Sequence, residues 1–166
     1  TVGGSGKTPV VLSLIPLLRD MGFTVHCISR GYGGQSQRTP VCVDPATHTA
    51  RDVGDEPLLL ARHAPTWVCS DRVASARAAQ EAGATLLLLD DGLQNPSLTK
   101  TLSLLVVDAA EGFGNGLMLP AGPLREPADE AIYRTDACIR IGTFQNPQWP
   151  RPLFQARLES VVSSLP

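Results

Sequence analysis

The chain has 166 residues, of which 43% are hydrophobic, 5% aromatic and 18% charged, and its formal net charge is −2 at pH 7. That length suffices for one buried core, and the composition fits a folded α/β domain and not a disordered chain. A sequence pI near 5.9 gives no field that would gather nucleic acid or an anionic membrane surface, so no nucleic-acid partner is expected.

The chain opens on Thr1-Val-Gly-Gly-Ser-Gly-Lys-Thr8. Gly6, Lys7 and Thr8 match the end of the phosphate-loop pattern GxxxxGK[ST], while Thr1 stands where its first glycine belongs. Gly3, Gly4 and Gly6 allow backbone amides to curl around phosphate oxygens, and the helix that follows aims its positive end at the same anion. In such a loop Thr1, Val2, Gly3, Gly4, Ser5, Gly6, Lys7 and Thr8 line the nucleotide, Lys7 bridges the β- and γ-phosphates, and the Thr8 hydroxyl serves Mg²⁺. Because this motif ordinarily follows a buried strand, a strand is expected upstream of Thr1. The bland alternative is a glycine-rich turn with a solvated lysine.

A helix is expected from Thr8 to Met21, with Val10, Val11, Leu14, Ile15 and Leu18 inward, Pro9 in its first turn and Gly22 ending it. Pro16 should kink or break it. Phe23 to Ile28 reads as a strand and Ser29-Arg-Gly-Tyr-Gly-Gly34 as a glycine-rich loop. Val41 to Val43 is at best a short strand, Asp52 to His63 reads as helix, Trp67 to Cys69 as strand, and Asp71 to Ala82 as helix with Asp71 as N-cap. Gly54-Asp55-Glu56-Pro57 introduces its helix with two carboxylates; these suit capping and the dipole, and equally suit Asp55 as a general base for an acceptor hydroxyl.

Leu86 to Leu89 reads as a fully buried strand that ends in Asp90-Asp91, the form of a Walker B element serving magnesium. Adjacent residues of a strand point to opposite sides, so one of the two carboxylates is expected to face the metal. Leu102 to Val107 is a further strand and delivers Asp108. Residues 111–127 are rich in Gly and Pro without periodicity, which points to a functional loop. In it Arg125 could hold a phosphate or simply pair with Glu126. Cys138 to Ile141 is a last strand, residues 143–152 a linker and 153–166 the start of a second unit, leaving 1–142 as the nucleotide-binding domain. The expected fold is P-loop NTPase-like: a mainly parallel sheet with helices on both faces.

Cys27, Cys42, Cys69 and Cys138 show no CxxC pair and no histidine at ligand spacing, so reduced, mostly buried thiols are expected. His26, His48 and His63 have no serine or cysteine partner at a signature spacing, so they are expected to be structural or surface residues, and nothing in the sequence supports a hydrolase triad. No apolar run is long enough to span a bilayer.

The segments TVGGSGKTP, SRGYGG, DVGDEPLLLA, LLLLDDGLQ and GFGNGLMLPAGPLREP, in this order, resemble the tetraacyldisaccharide 4'-kinase family of lipid A biosynthesis, from Thr1 to about Ile141. The resemblance implies transfer of the ATP γ-phosphoryl group to the 4'-hydroxyl of a tetraacylated disaccharide 1-phosphate lipid, peripherally at the cytoplasmic face of the inner membrane. By matching position it implies ATP on Gly3 to Thr8, Mg²⁺ on Thr8 and Asp90 or Asp91, Asp55 as base, and Gln94, Arg125 and Glu126 around the reaction. Many members carry Phe and His where Leu93 and Asn95 stand here. Members also have an N-terminal membrane-associating helix and a C-terminal histidine region, so the chain is expected to be a fragment that meets the membrane through other parts. The competing expectations are a P-loop ATPase or GTPase of the partitioning or metallochaperone type, whose early loop lysine is Val2 here, and a non-catalytic nucleotide-binding module.

Overall fold

The computed structural model describes residues 6–35, 37–143 and 150–159. Most of the phosphate loop, Thr1, Val2, Gly3, Gly4 and Ser5, lies outside the described residues, as do residues 144–149 of the expected linker and 160–166 of the expected tail. The chain divides into two compact units, one spanning Lys7–Thr99 and the other running on from Lys100 and including Gly6. Each is an α/β arrangement of its own.

In the first unit α1 (Lys7–Asp20), β1 (Val25–Ser29), β2 (Val41–Cys42), α2 (Ala50–Val53), α3 (Asp55–Ala61), β3 (Thr66–Val68), α4 (Arg72–Glu81) and β4 (Leu86–Leu89) follow in order. The sheet order is β2-β3-β1-β4. β1 pairs in parallel with both β3 and β4, and β2 runs antiparallel to β3. In the second unit β5 (Leu104–Asp108), α5 (Ala128–Tyr133), β6 (Ala137–Ile141) and β7 (Leu153–Ala156) build a separate parallel sheet in the order β5-β6-β7. The expected mainly parallel α/β character is present, distributed over two sheets. Leu153–Ala156 does not open a separate unit: it extends the sheet of β5 and β6.

Apolar periodicity explains the core. Val11 and Ile15 of α1, Val25 and Cys27 of β1, and Leu60 and Ala64 in and after α3 form one cluster, against which Leu12, Leu18, Leu86 and Leu88 pack. Val25 and Cys27 alternate with His26 and Ile28, so all of β1 is buried although only half of it meets α1 and α3. α4 packs on β1 and β3 without joining that cluster. α1 ends as its glycine predicts: Gly22 has φ 91, its amide donates to the Arg19 carbonyl and the Phe23 amide to the Leu18 carbonyl, the paired bonds of a Schellman cap.

Three expectations are corrected by the structure. α1 continues through Pro16 without a break; the ring lies on the exposed side, where the carbonyl it leaves unpaired can be solvated. The helix expected from Asp52 to His63 is two short helices, α2 and α3, separated at Gly54, whose φ of 90 and ψ of 157 no helix accommodates. Leu86–Leu89 is half-buried and not fully buried, because among the described strands β4 has β1 as its one partner.

The break at Gly54 is enforced by packing. A Cβ on Gly54 would lie 2.6 Å from the Tyr32 carbonyl oxygen, and one on Gly34 would lie 2.6 Å from the Gly54 nitrogen. The glycine-rich loop after β1 thus presses its backbone on the α2–α3 junction, and the Gln35 amide donates to the Arg51 and Asp52 carbonyls. Gly54→Ala is therefore expected to destabilise the intact protein by about 1–3 kcal/mol. Denaturant unfolding checks this, and a wild-type midpoint would show that the close approach carries no constraint.

On the other face of β1, His26 is 4% exposed and its Nδ1 accepts a hydrogen bond from Trp67 Nε1 at 3.2 Å. Burial, with a smaller push from Arg19, holds its pKa below the ordinary 6.5. The folded state therefore favours neutral imidazole: this contribution is complete above pH 6.5 and is lost as the pH falls through the lower folded value. His26→Gln keeps an acceptor for the indole but cannot titrate, so the variant should lose less stability than wild type between about pH 7 and about pH 5. Parallel stability curves for the two proteins would contradict the assignment.

Candidate nucleotide and metal site

The start of α1 meets the turn that follows β4. The Thr8 hydroxyl donates to Asp90 Oδ2 at 3.1 Å, and Lys7 Nζ stands 3.9 Å from Asp91 Oδ1. Two residues adjacent on the helix thus engage two residues adjacent on the turn. This differs from the expectation that the carboxylates diverge, and the reason is local. The strand ends at Leu89, and Asp91 takes φ 53, the one non-glycine residue with positive φ among the described residues. A left-handed residue reverses the alternation of a strand, and aspartate tolerates that region better than most side chains. The turn is tight: a Cβ on Gly92 would fall 2.7 Å from Leu89 Cβ.

Asp90 is 2% exposed. Burial raises its pKa; the Thr8 hydrogen bond, Lys7 and the Asp91 amide oppose that rise, while the Asp91 charge reinforces it. A desolvated carboxylate beside a hydroxyl is a place where a cation would be strongly favoured. Lys7 and Asp91 are less enclosed, with side chains 31% and 40% exposed. The oxygen donors of Thr8, Asp90 and Asp91 suit a hard cation such as Mg²⁺. Among the described residues no group of three or more His, Cys, Asp or Glu forms a metal cage. One hydroxyl and two carboxylates are the sparse set that leaves coordination places for phosphate oxygens and water.

Asp55 is the first residue of α3 and is exposed. Its helix shares a core with α1 through Leu60 and Ile15, and the glycine-rich loop abuts the residue before it. Gln94 lies exposed in the turns after Gly92, with Leu93 and Asn95 half-buried on either side. Arg125 and Glu126 belong to the second unit, on the segment entering α5, where the Glu126 carboxylate accepts from Arg134 Nη2. The loop before them is aperiodic yet internally bonded. Asn115 donates to the Ala121 carbonyl and accepts from the Leu117 amide, and the Leu119 and Leu124 amides donate to the Leu124 and Leu117 carbonyls.

Sequence reasoning missed Arg72. It is the first residue of α4 and 5% exposed, and its Nη1 donates to the Asp91 carbonyl at 3.2 Å. The signal was a cation in the first helical turn, where the dipole disfavours positive charge. The thiols take no part: Cys27, Cys69 and Cys138 are buried and Cys42 is exposed, and burial pushes Cys27 up to about 12 and Cys138 to about 11, which keeps both protonated. Among the described residues no helix is long and apolar enough to cross a membrane.

Comparison with known proteins places this geometry in context. The family described as Tetraacyldisaccharide-1-P 4'-kinase matches residues 1–163. A tetraacyldisaccharide 4'-kinase of Dinoroseobacter shibae is 54% identical over 159 residues, covering 96% of this chain and 44% of the relative. One from Methylorubrum extorquens is 61% identical over 142 residues, covering 86% of this chain and 43% of the relative. The chain thus spans somewhat under half the length of these relatives. A crystal structure of LpxK from Aquifex aeolicus in complex with ATP superposes with a TM-score of 0.79 at 32% identity, covering 93% of this chain and 50% of that one. On the match over residues 1–163, the chain belongs to the tetraacyldisaccharide-1-phosphate 4'-kinase family.

Proposed function

We propose that the protein carrying this chain transfers the γ-phosphoryl group of ATP to the 4'-hydroxyl of a tetraacyldisaccharide 1-phosphate. The observation that carries the reading is the double engagement of Lys7 and Thr8 with Asp91 and Asp90 at the start of α1, in a chain of this family. The ATP-bound relative supports the nucleotide, and the family name supports the acceptor.

In this reading Gly6, Lys7 and Thr8, with the preceding loop residues Thr1 to Ser5, receive the phosphates at the positive end of α1. Lys7 neutralises charge on the transferred group, exchanging its neighbour Asp91 for phosphate oxygens. Thr8, Asp90 and Asp91 would hold Mg²⁺, which when bound neutralises phosphate charge and aligns the phosphate oxygens. Asp55 accepts the proton of the 4'-hydroxyl; that oxygen forms the new bond to the γ-phosphorus as the bond to the β-phosphate oxygen breaks and ADP leaves. Its exposed place at the start of α3 leaves it accessible to a sugar hydroxyl. Gln94, Arg125 and Glu126 complete the surroundings of the reaction, with Arg125 available to bind phosphate. An acylated acceptor implies work at a membrane surface, at the cytoplasmic side where ATP is supplied.

The intact protein, given labelled ATP, Mg²⁺ and the acylated disaccharide monophosphate in detergent, should label the lipid; nucleotide hydrolysis without labelled lipid would overturn the kinase reading. Asp55→Asn should lower kcat by about 10²–10⁴-fold with ATP affinity nearly unchanged. A large loss of ATP binding in that variant would make Asp55 a structural residue. Lys7→Ala should reduce kcat/KM for ATP by at least about 10²-fold, and wild-type kinetics would remove Lys7 from the site.

A further inference from the structure

We infer that Arg72 is a positioning residue: by holding the Asp91 carbonyl it fixes the left-handed turn that directs the carboxylates of Asp90 and Asp91 to Thr8 and Lys7. The inference rests on the proposed metal–nucleotide reading of that site and adds to it a residue on a different element.

Four observations converge. First, α4 does not need Arg72 for its own start. The Asp71 carboxylate already accepts from the Val73 and Ala74 amides, at 2.8 and 3.3 Å, and a guanidinium at the first helical position opposes the dipole. Second, the side chain is 5% exposed, so its permanent charge has been taken out of water. Third, the charges that meet it are those of the site: Asp91 and Asp90 oppose the effect of burial on the guanidinium, and Arg30, the residue after β1, adds to it. Fourth, its Nη1 bond goes to the peptide carbonyl of Asp91, the residue with φ 53.

A carbonyl held from outside the turn cannot rotate freely with its peptide plane. Without that bond, Asp91 can relax toward negative φ, which swings its carboxylate away from Lys7. Gly92, folded onto Leu89, limits where the chain can go next but does not by itself set the conformation of Asp91. Arg72 therefore acts through Asp91 and need not touch nucleotide. Lysine at this position would keep the charge but has neither the planar fork nor the same reach.

The test measures how Mg²⁺ strengthens binding of a fluorescent ATP analogue to the intact protein, in wild type, Arg72→Lys and Arg72→Gln, with no lipid present. The Mg²⁺ concentration for half-maximal strengthening should rise about tenfold in Arg72→Gln and by a smaller factor in Arg72→Lys. Analogue affinity in excess chelator should change less than about threefold in either variant. An unchanged Mg²⁺ dependence in both variants would overturn the inference. So would an equal loss with and without Mg²⁺, which would make Arg72 a direct phosphate contact or a purely structural residue. Should Arg72→Gln fail to fold, as judged by its thermal transition, the Arg72→Lys titration decides alone. If wild type itself shows no Mg²⁺ dependence, the metal reading fails; if it shows one that the variants share, only the role of Arg72 fails.

Discussion

The hydrogen bond from the Thr8 hydroxyl to the buried Asp90 carboxylate is the contact on which the proposed site depends. It joins the first turn of α1 to the end of β4, segments 82 residues apart. Asp90 is also tied to the sheet, since its amide donates to the Ile28 carbonyl of β1. A carboxylate held this firmly in a dry position cannot drift with its side chain, and it faces the helix terminus where phosphate oxygens are best received. α1 is in turn fixed by Val11 and Ile15 in the core it shares with β1 and α3. The apolar interior and the polar site are thus one construction: the burial that stabilises α1 also aims its N-terminus.

Local rules are broken most densely around that contact. Asp90 is a carboxylate out of water, Asp91 is a non-glycine residue at positive φ, and Arg72 is a cation in the first turn of a helix. Each is unfavourable alone. Together they offset one another, since Arg72 holds Asp91 and its charge faces both aspartates. Violations that gather at one place while the surrounding elements obey their propensities are what a site built for ligand charge leaves in a structure.

Much of this was legible in the sequence. Gly22 announced the end of α1, Asp71 capped α4, and the apolar run of Leu86–Leu89 ending in two aspartates marked its strand and the turn after it. These signals are local, so a single sequence carries them. What escaped depended on contacts distant in the chain. Gly54 breaks its helix because Tyr32 and Gly34 approach it, and Pro16 is tolerated because its face of α1 is exposed. The half-burial of β4 depends on how many strands flank it, and β7 was hidden by its proline-rich approach. Among site residues, the phosphate-loop end and Asp90-Asp91 were readable as motifs, whereas Arg72 announced itself only as an oddly placed cation. Arg125 and Glu126 stood out in the sequence only as a phosphate holder or a plain ion pair until the resemblance favoured a role in the reaction, and the structure describes them on their own unit.

In the proposed reading, the start of α1 and the turn after β4 form one magnesium–nucleotide site. A crystal structure of the intact protein with Mg²⁺ and a non-hydrolysable ATP analogue decides whether they do. The γ-phosphate should lie at the N-terminus of α1 within reach of Lys7, and a magnesium ion should either sit about 2.1 Å from an oxygen of Thr8, Asp90 or Asp91 or hold at about that distance an ordered water that is hydrogen-bonded to one of these oxygens. Nucleotide bound away from Lys7 and Thr8, or a metal coordinated without any contact to these three residues or their waters, would contradict that reading.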